Sequence, residues 1–287
     1  MDVARVERLV RARVLSAEHV EGRGYTHTGR HRARLDDGRS VFVKSAVDEL
    51  SAGWLRAEDT VYSQVDGDFL PQCLGYDERD GLPLLVLEDL GDAYWPPPWR
   101  EGDVEAVLHA LDAMAAVPVP HGLHRVPREE IAPWWREVER EPEPFLLLGM
   151  CSRVWLDAHL PELRDAAERA PYDGQHLIHL DVRSDNIALR DGRAVLVDWN
   201  WACRSNPLLD RAGWCPSLQL EGGAAPEEIA PEPEAGEFAA GLAGLWASRA
   251  GLPPPPTATA RLREIQAAQL RVALAWACRA LGIAAPG

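Results

Sequence analysis

Lysine is all but missing from this chain. Lys and Arg together number 30 in 287 residues, and Lys44 is the single lysine. Where any cation would serve, the chain uses Arg. Lys44 therefore marks a site that wants a compact point charge on a flexible stem. Asparagine is almost as scarce: Asn186, Asn200 and Asn206 are the only three, all in one short stretch. The five cysteines (73, 151, 203, 215 and 278) contain no CxxC pair and are odd in number. That argues against a disulfide framework and for a reducing compartment. No apolar run approaches the roughly 18–20 residues of a membrane span. The N-terminal stretch MDVARVERLVRARV spreads charge where a signal peptide has an unbroken apolar core. Positive charge is in deficit too: 45 Asp and Glu against 30 Lys and Arg give a formal net charge of −15. So acidic a chain repels a phosphate backbone, which disfavours nucleic-acid partners and suits a cationic small molecule. The expectation is a cytoplasmic protein with neither a nucleic-acid nor a membrane partner.

What is present reads as a folded protein of one large or two modest domains, with 46% hydrophobic and 26% charged residues. The first ninety residues read as mostly strand with one helix. Segment 18–35 alternates Thr26, Thr28, Arg30, Arg32 and Arg34 with period 2, and Asp36-Asp37-Gly38 is a hairpin turn signal. Residues 39–46 read as a strand carrying Lys44. Residues 48–65 read as a helix, 73–76 and 82–87 as strands. The character changes at Glu88-Asp89-Leu90-Gly91, and Pro96–Pro98 forbids regular structure. Beyond lie helices at 101–116, 129–140, 151–170, 207–220, 235–250 and 258–282. A small β island interrupts them, with apolar runs at 176–180, 187–189 and 194–199. The acidic, Pro/Gly-rich stretch 221–234 and Pro253–Pro256 read as exposed loops. The expected fold is α+β and bilobal: a β-rich N-lobe over 1–90, then a mostly helical C-lobe over 91–287 with a short hairpin island.

The chemistry gathers in 176–202, HLIHLDVRSDNIALRDGRAVLVDWNWA. It contains His179-x-Asp181-x(4)-Asn186, followed by Asp198 at the end of an apolar run. With nine His, 21 Asp and three Asn, chance gives this pattern about 0.007 times per chain. The residues suit phosphoryl transfer. An alcohol needs a carboxylate to orient it and take its proton, a role for Asp181. The phosphoryl charge needs Mg²⁺, a hard cation that Asn186 and Asp198 would hold through oxygen. Arg183 would turn its fork to the γ-phosphate. Lys44 would pair the α/β-phosphates, and Glu58 on the following helix would hold Lys44, with Asp59 and Glu49 as nearby alternatives. His179 reads as a loop brace, Asp210 as a helix cap or an anchor of the catalytic loop, and Trp199 and Trp201 as core or acceptor-pocket residues.

FVK at 42–44, Glu58, LVLEDL at 85–90, HLDVRSDN at 179–186, VDWNWA at 197–202 and NPLLD at 206–210 resemble the aminoglycoside phosphotransferase/choline kinase-like family of the protein-kinase-like fold. The resemblance covers residues from about 20 to 215. It implies a small-molecule kinase using ATP or GTP with Mg²⁺, with the nucleobase hydrogen-bonded by backbone near Glu88, Asp89 and Leu90. It also implies an acceptor hydroxyl on a small molecule: an aminoglycoside-like hydroxylated amine first, or a choline-like, sugar, macrolide or nucleoside alcohol. A nucleotide-binding pseudokinase is the rival expectation. The chain departs from the family's pattern at three places. Its glycine loop has only Gly22, Gly24 and Gly29, and Leu180 and Asp185 stand where many relatives have Gly.

Overall fold

The computed structural model describes residues 1–20, 28–79, 81–126, 133–255 and 261–286. Gly22, Gly24 and Thr26 of the expected phosphate-covering loop lie outside them. The chain divides into two compact units: residues 1–123 with 184–203, and residues 124–183 with 204–287. Residues 91–123 and the later β-hairpin are grouped in one unit with the N-terminal sheet.

In the first unit, β1 (Val14–His19), β2 (Gly29–Leu35), β3 (Ser40–Ser45), β4 (Cys73–Asp77) and β5 (Leu84–Glu88) form an antiparallel sheet in the order β1-β2-β3-β5-β4. Its register follows from the turn. Arg34 opposes Ser40 around Asp36-Asp37-Gly38, and counting outward sets Arg30 opposite Lys44. Side chains alternate between faces, so Ala33, Leu35, Val41, Val43, Leu84 and Val86 form one apolar face. Helix α1 (Val3–Val10) covers it with Val6 and Val10. This helix was not expected from the sequence, where a single helix was assigned to the first ninety residues. Asp2 caps it by accepting from Arg5 N at 3.2 Å. The Arg5 guanidinium reaches the β4 end, donating to Asp77 Oδ2 at 2.9 Å and to the Leu82 carbonyl at 3.0 Å. With Arg8 and Arg79 also upon it, the Asp77 carboxyl is held well below the usual carboxylate range.

Helix α2 (Glu49–Tyr62) starts at Asp48, whose side chain accepts from Ser51 N in a capping box. Its buried stripe runs Ser51, Ala52, Leu55, Glu58, Val61, Tyr62. One carboxylate therefore sits among apolar residues, a position that demands a partner. After β5 the chain passes Trp95 and the three prolines into α3 (Asp103–Ala116). Strands β7 (Ile187–Arg190) and β8 (Arg193–Leu196) form a hairpin through Asp191-Gly192, both at positive φ as this turn requires. Tyr94 and Leu189 exchange backbone bonds of 2.8 and 2.7 Å. Leu90, Ala188 and Val195 close a small core there with Trp95 and Val197 packed against it.

The second unit is mainly helical: α4 (Trp134–Arg140), α5 (Glu143–Leu146), α6 (Arg153–Arg169), α7 (Leu208–Leu220), α8 (Pro226–Ile229), α9 (Ala235–Ala247) and α10 (Leu262–Leu281). Helix α9 lies at its centre and is buried almost all round. Glycine lets its neighbours close in: a methyl at Gly244 would lie 2.8 Å from Trp135, and one at Gly236 would lie 2.6 Å from Ala280. Trp135 Nε1 donates to the Ala240 carbonyl at 2.8 Å. Part of the stretch expected as an exposed loop, 221–234, is the short helix α8, which buries Pro226 and Ile229. Strand β6 (His176–Ile178) leads toward residues 179–183 and pairs with β9 (Cys203–Ser205). Among the described residues no helix is long and apolar enough to cross a membrane.

Candidate functional site

The sheet face opposite α1 is where chemistry collects. Arg30, Arg32, Phe42, Lys44 and Leu87 project from it into a cavity of about 370 Å³, joined by Val20, Glu88, Asp89, Leu90, Trp95, Asp185, Asn186, Val197 and Asp198. That volume lies within the range of small-ligand pockets. All of these residues belong to the first unit.

Lys44 is the electrostatic centre. It is 4% exposed, its Nζ donates to Glu58 Oε1, and it lies 2.6 Å from Asp198 Oδ1. Burial alone would lower its pKa, but the charges of Asp198 and Glu58 outweigh that and raise it, so the ammonium stays protonated. Lys44 serves both carboxylates, with the Arg30 guanidinium 3.8 Å from Asp198, and Glu58 is the deeper of the two. Burial pushes Glu58 up to about 7 despite Lys44, and its Oε2 has no hydrogen-bond partner among the described residues. Of the three acids that sequence placed near Lys44, Glu58 is the one in contact with it; Glu49 and Asp59 lie elsewhere on α2, where Glu49 reaches Arg56.

Asp198 adopts φ +69°, a left-handed turn that Asp tolerates better than most residues, as the chain leaves β8 for a tight turn at Trp199–Trp201. Trp199 anchors this turn. It is fully buried, donates to the Leu196 carbonyl at 2.8 Å, and packs against Phe69 with ring centroids 6.0 Å apart. Trp201 is 54% exposed, so the two tryptophans serve different ends. Asn186 closes another short turn, Ser184–Asn186, just before β7.

Three oxygen-bearing side chains, Asp185, Asn186 and Asp198, thus face the cavity that holds the Lys44 ammonium. No group of three or more His, Cys, Asp or Glu gathers among the described residues to cage a metal alone. The donor set fits Mg²⁺ all the same, since this ion takes one or two protein oxygens and completes its shell with water and substrate phosphates. Glu88 and Asp89 also face the cavity, but their carboxylates are engaged. Glu88 accepts from Gln72 N at 3.0 Å and Arg190 at 2.8 Å. Asp89 accepts from Ser40 Oγ at 2.7 Å, Arg32 Nε at 3.0 Å and Gly91 N at 3.0 Å. Sequence reading did not assign Arg30, Arg32, Trp95 or Asp185 to the site. For Arg30 the signal was available, because counting outward from Asp36-Asp37-Gly38 pairs it with Lys44.

Residues 179–183 belong to the second unit and are organised by Asp210 on α7. His179 N and Leu180 N each donate to one oxygen of its carboxylate at 2.7 Å, and Asp181 N donates to His179 Nδ1 at 3.3 Å. These bonds hold Leu180 at φ +64°, a conformation that costs a branched residue about 1 kcal/mol where glycine adopts it freely. Arg183 Nε lies 3.4 Å from Asp181 Oδ1, both side chains being about three-quarters buried. Asp210 thus anchors the loop, one of the two roles its sequence position suggested.

Burial pushes the Asp210 carboxyl up to about 7, against the lowering by the two N–H groups and with a further push from Asp181. An unfolded Asp ionises near pH 4. Between about pH 4 and 7 the folded state holds a proton that the unfolded chain has lost, so this group makes stability fall as pH rises through that window. Asp210→Asn removes the titration. Relative to wild type, the variant is expected to gain stability from pH 4 to pH 7, by at most about 1.4 kcal/mol per pH unit. Urea melts at a series of pH values measure it, and a constant difference across the window would show that Asp210 is ionised throughout.

No family model matches the chain, and no curated protein matches it. Solved structures do. The GDP complex of wild-type aminoglycoside 2'-phosphotransferase-IIIa is 13% identical, with 98% of this chain and 99% of that chain covered, at a TM-score of 0.59. Choline kinase LicA from Streptococcus pneumoniae is 15% identical, with 86% of each chain covered and a TM-score of 0.57. A putative fructosamine-3-kinase from Thermobifida fusca YX-ER1 is 20% identical over 94% of this chain and 98% of that one, at 0.55. At these identities the likeness is one of fold: a sheet of five antiparallel strands followed by a mostly helical remainder, the protein-kinase-like fold.

Proposed function

We propose that this protein is a phosphotransferase that moves the γ-phosphate of ATP or GTP to a hydroxyl of a small molecule. The observation that carries the reading is the position of the single lysine. Lys44 is buried between Glu58 and Asp198, in a cavity that Asn186 also lines. A buried ammonium held by a helix carboxylate beside two further oxygen ligands is what a polyphosphate site requires. Backbone at Glu88–Leu90 would take the base, Lys44 the α/β-phosphates, and Asn186 and Asp198 the Mg²⁺. The metal would neutralise phosphate charge. Asp181 would orient the acceptor hydroxyl and take its proton, and Arg183, paired with it, would meet the γ-phosphate. The likeness to proteins named for aminoglycosides, choline and fructosamine supports an acceptor that carries both hydroxyl and amine groups. The net charge of −15 suits such a cation.

Calorimetric titration of ATP and GTP, with Mg²⁺ and then with EDTA, tests the nucleotide site. At least one nucleotide should bind about tenfold or more tightly with Mg²⁺, because Asn186 and Asp198 would hold the metal and its charge would offset that of the phosphates. Equal affinity in the two conditions would remove Asn186 and Asp198 as metal ligands, and no binding in either would remove the reading.

A further inference from the structure

We propose that the second unit carries a binding site for a phosphate-like oxyanion, formed by Arg249, Arg263 and Trp134. The nucleotide cavity is lined by the first unit alone, and the inference does not depend on the nucleotide reading. Arg249 lies just beyond α9, with its guanidinium carbon 4.2 Å from the centroid of the Trp134 ring at the start of α4. That ring face is its one partner: no hydrogen bond or ion pair reaches the Arg249 side chain from any described residue. This is an exception in a chain with 45 Asp and Glu. Arg136, Arg164, Arg169 and Arg211 of the same unit each have a carboxylate partner. The neighbour of Arg249 is instead a second cation. Leu252 N donates to the Arg249 carbonyl at 3.0 Å, and the next residue, Pro253, accepts at its carbonyl from Arg263 Nη2 at 2.9 Å. Arg263 Nη1 donates to Gln266 Oε1 at 2.7 Å, so neutral oxygens alone hold this guanidinium and its charge is left uncancelled. Burial and the charge of Arg263 pull the Arg249 pKa down, and among the described residues no acid acts against them.

Two donors beside this pair are also unused. The Trp134 Nε1–H and the Arg263 Nε–H are withdrawn from water and have no hydrogen-bond partner among the described residues. Leaving such groups unpaired costs free energy, and so does keeping two like charges together away from water. A cation just beyond the C-terminal end of α9 is favoured by the helix dipole, which accounts for Arg249 but not for Arg263. Arg263 stands in the first turn of α10, where the dipole favours negative charge. The cluster thus offers positive charge and N–H groups and lacks an acceptor, and a ligand whose oxygens only accept supplies what is missing. Arginine grips such oxygens in pairs through its planar fork, and stacking on Trp134 fixes the plane of the Arg249 fork. A phosphate group carries close to two negative charges near neutral pH. It matches two guanidinium groups better than a carboxylate with one.

The test follows the indole N–H signals of the 11 tryptophans by nuclear magnetic resonance, in the full chain titrated with inorganic phosphate at constant ionic strength. The Trp134 signal is identified by its loss in Trp134→Phe. It should shift and saturate with phosphate, and acetate should bind more weakly. Arg249→Met should weaken phosphate by about tenfold or more, the size of one charge-assisted hydrogen bond. Arg249→Lys should fall between, since it keeps the charge and loses the fork. Circular dichroism checks the fold, and Arg249→Gln replaces the Met variant should that one unfold. A Trp134 signal that phosphate does not move overturns the proposal. So does phosphate that moves only other indole signals, such as that of Trp95 in the nucleotide cavity, or binding that the neutral variant leaves at wild-type strength. Acetate bound as tightly as phosphate overturns the phosphate assignment. Glu129 and Glu130 precede Trp134 by five and four residues, and the titration is repeated on Glu129→Gln/Glu130→Gln. Phosphate binding that appears only in that variant would mean that the chain's own carboxylates fill the place, and would overturn the site.

Discussion

Lys44→Arg is expected to lose roughly hundredfold or more in kcat/KM with the fold intact, although the charge is kept. The lysine is buried and spans two carboxylates at once, Glu58 and Asp198. A guanidinium is wider, planar and committed to a fork, so it cannot occupy that position and leave its phosphate-facing side where an ammonium has it. Displacements of about 1 Å at a reacting phosphate suffice for losses of about this size. Lys44→Met should behave differently, because it abandons two acids in a dry place. Removing one partner of a buried ion pair costs about 3–5 kcal/mol. Glu58, already pushed up to about 7 by burial, is the group that takes up a proton to limit the damage. Steady-state kinetics on Lys44→Arg, with thermal melts on both variants, read the two effects apart. Turnover by Lys44→Arg close to wild type would mean that Lys44 is a structural cation.

The elements that sequence shows best are those whose cause is local. The hairpin turn at Asp36-Asp37-Gly38, the periodic stripe of α2 and the alternation of Arg30, Arg32 and Arg34 all appear in the structure within a few residues of their expected ends. Helix α1 was missed because it is only eight residues long and three charged residues break up its five apolar ones. Its stability comes from Val6 and Val10 against the sheet and from Arg5 on Asp77, contacts made more than twenty residues away along the chain. Helix α8 was hidden for a similar reason: four residues within an acidic stretch fold because Pro226 and Ile229 find cover. At the site, the scarcity of lysine and the pattern from His179 to Asn186 singled out residues that the structure places in two structural settings. Lys44, Glu58, Asn186 and Asp198 meet around one cavity, while His179, Asp181 and Arg183 form a loop anchored by Asp210. Arg30 was not assigned to the site because its place opposite Lys44 follows from strand register, which links residues fourteen apart.

The second large effect belongs to Asp181. In a loose phosphoryl-transfer transition state the base orients the hydroxyl and accepts its proton late. Asp181→Asn keeps the size and one acceptor oxygen but cannot take the proton. Because size and one acceptor are kept, the substitution should leave nucleotide affinity within a few-fold of wild type while kcat falls by roughly 10²–10⁴. Asp198→Asn removes a proposed metal ligand instead, and affinity and kcat should fall together. Loss of nucleotide binding in Asp181→Asn with binding kept in Asp198→Asn would mean that the two roles are exchanged.

The most direct measurement is transfer of the γ-phosphate itself, followed by mass spectrometry of the acceptor and by nucleoside diphosphate release over a panel of hydroxylated amines and other small alcohols. Wild type should yield a phosphorylated hydroxyl and an equal amount of nucleoside diphosphate in the presence of Mg²⁺, and Asp181→Asn should bind nucleotide and slow that transfer by roughly 10²–10⁴. Transfer that proceeds in Asp181→Asn at the wild-type rate, or nucleotide that is not bound by wild type at all, would contradict the account.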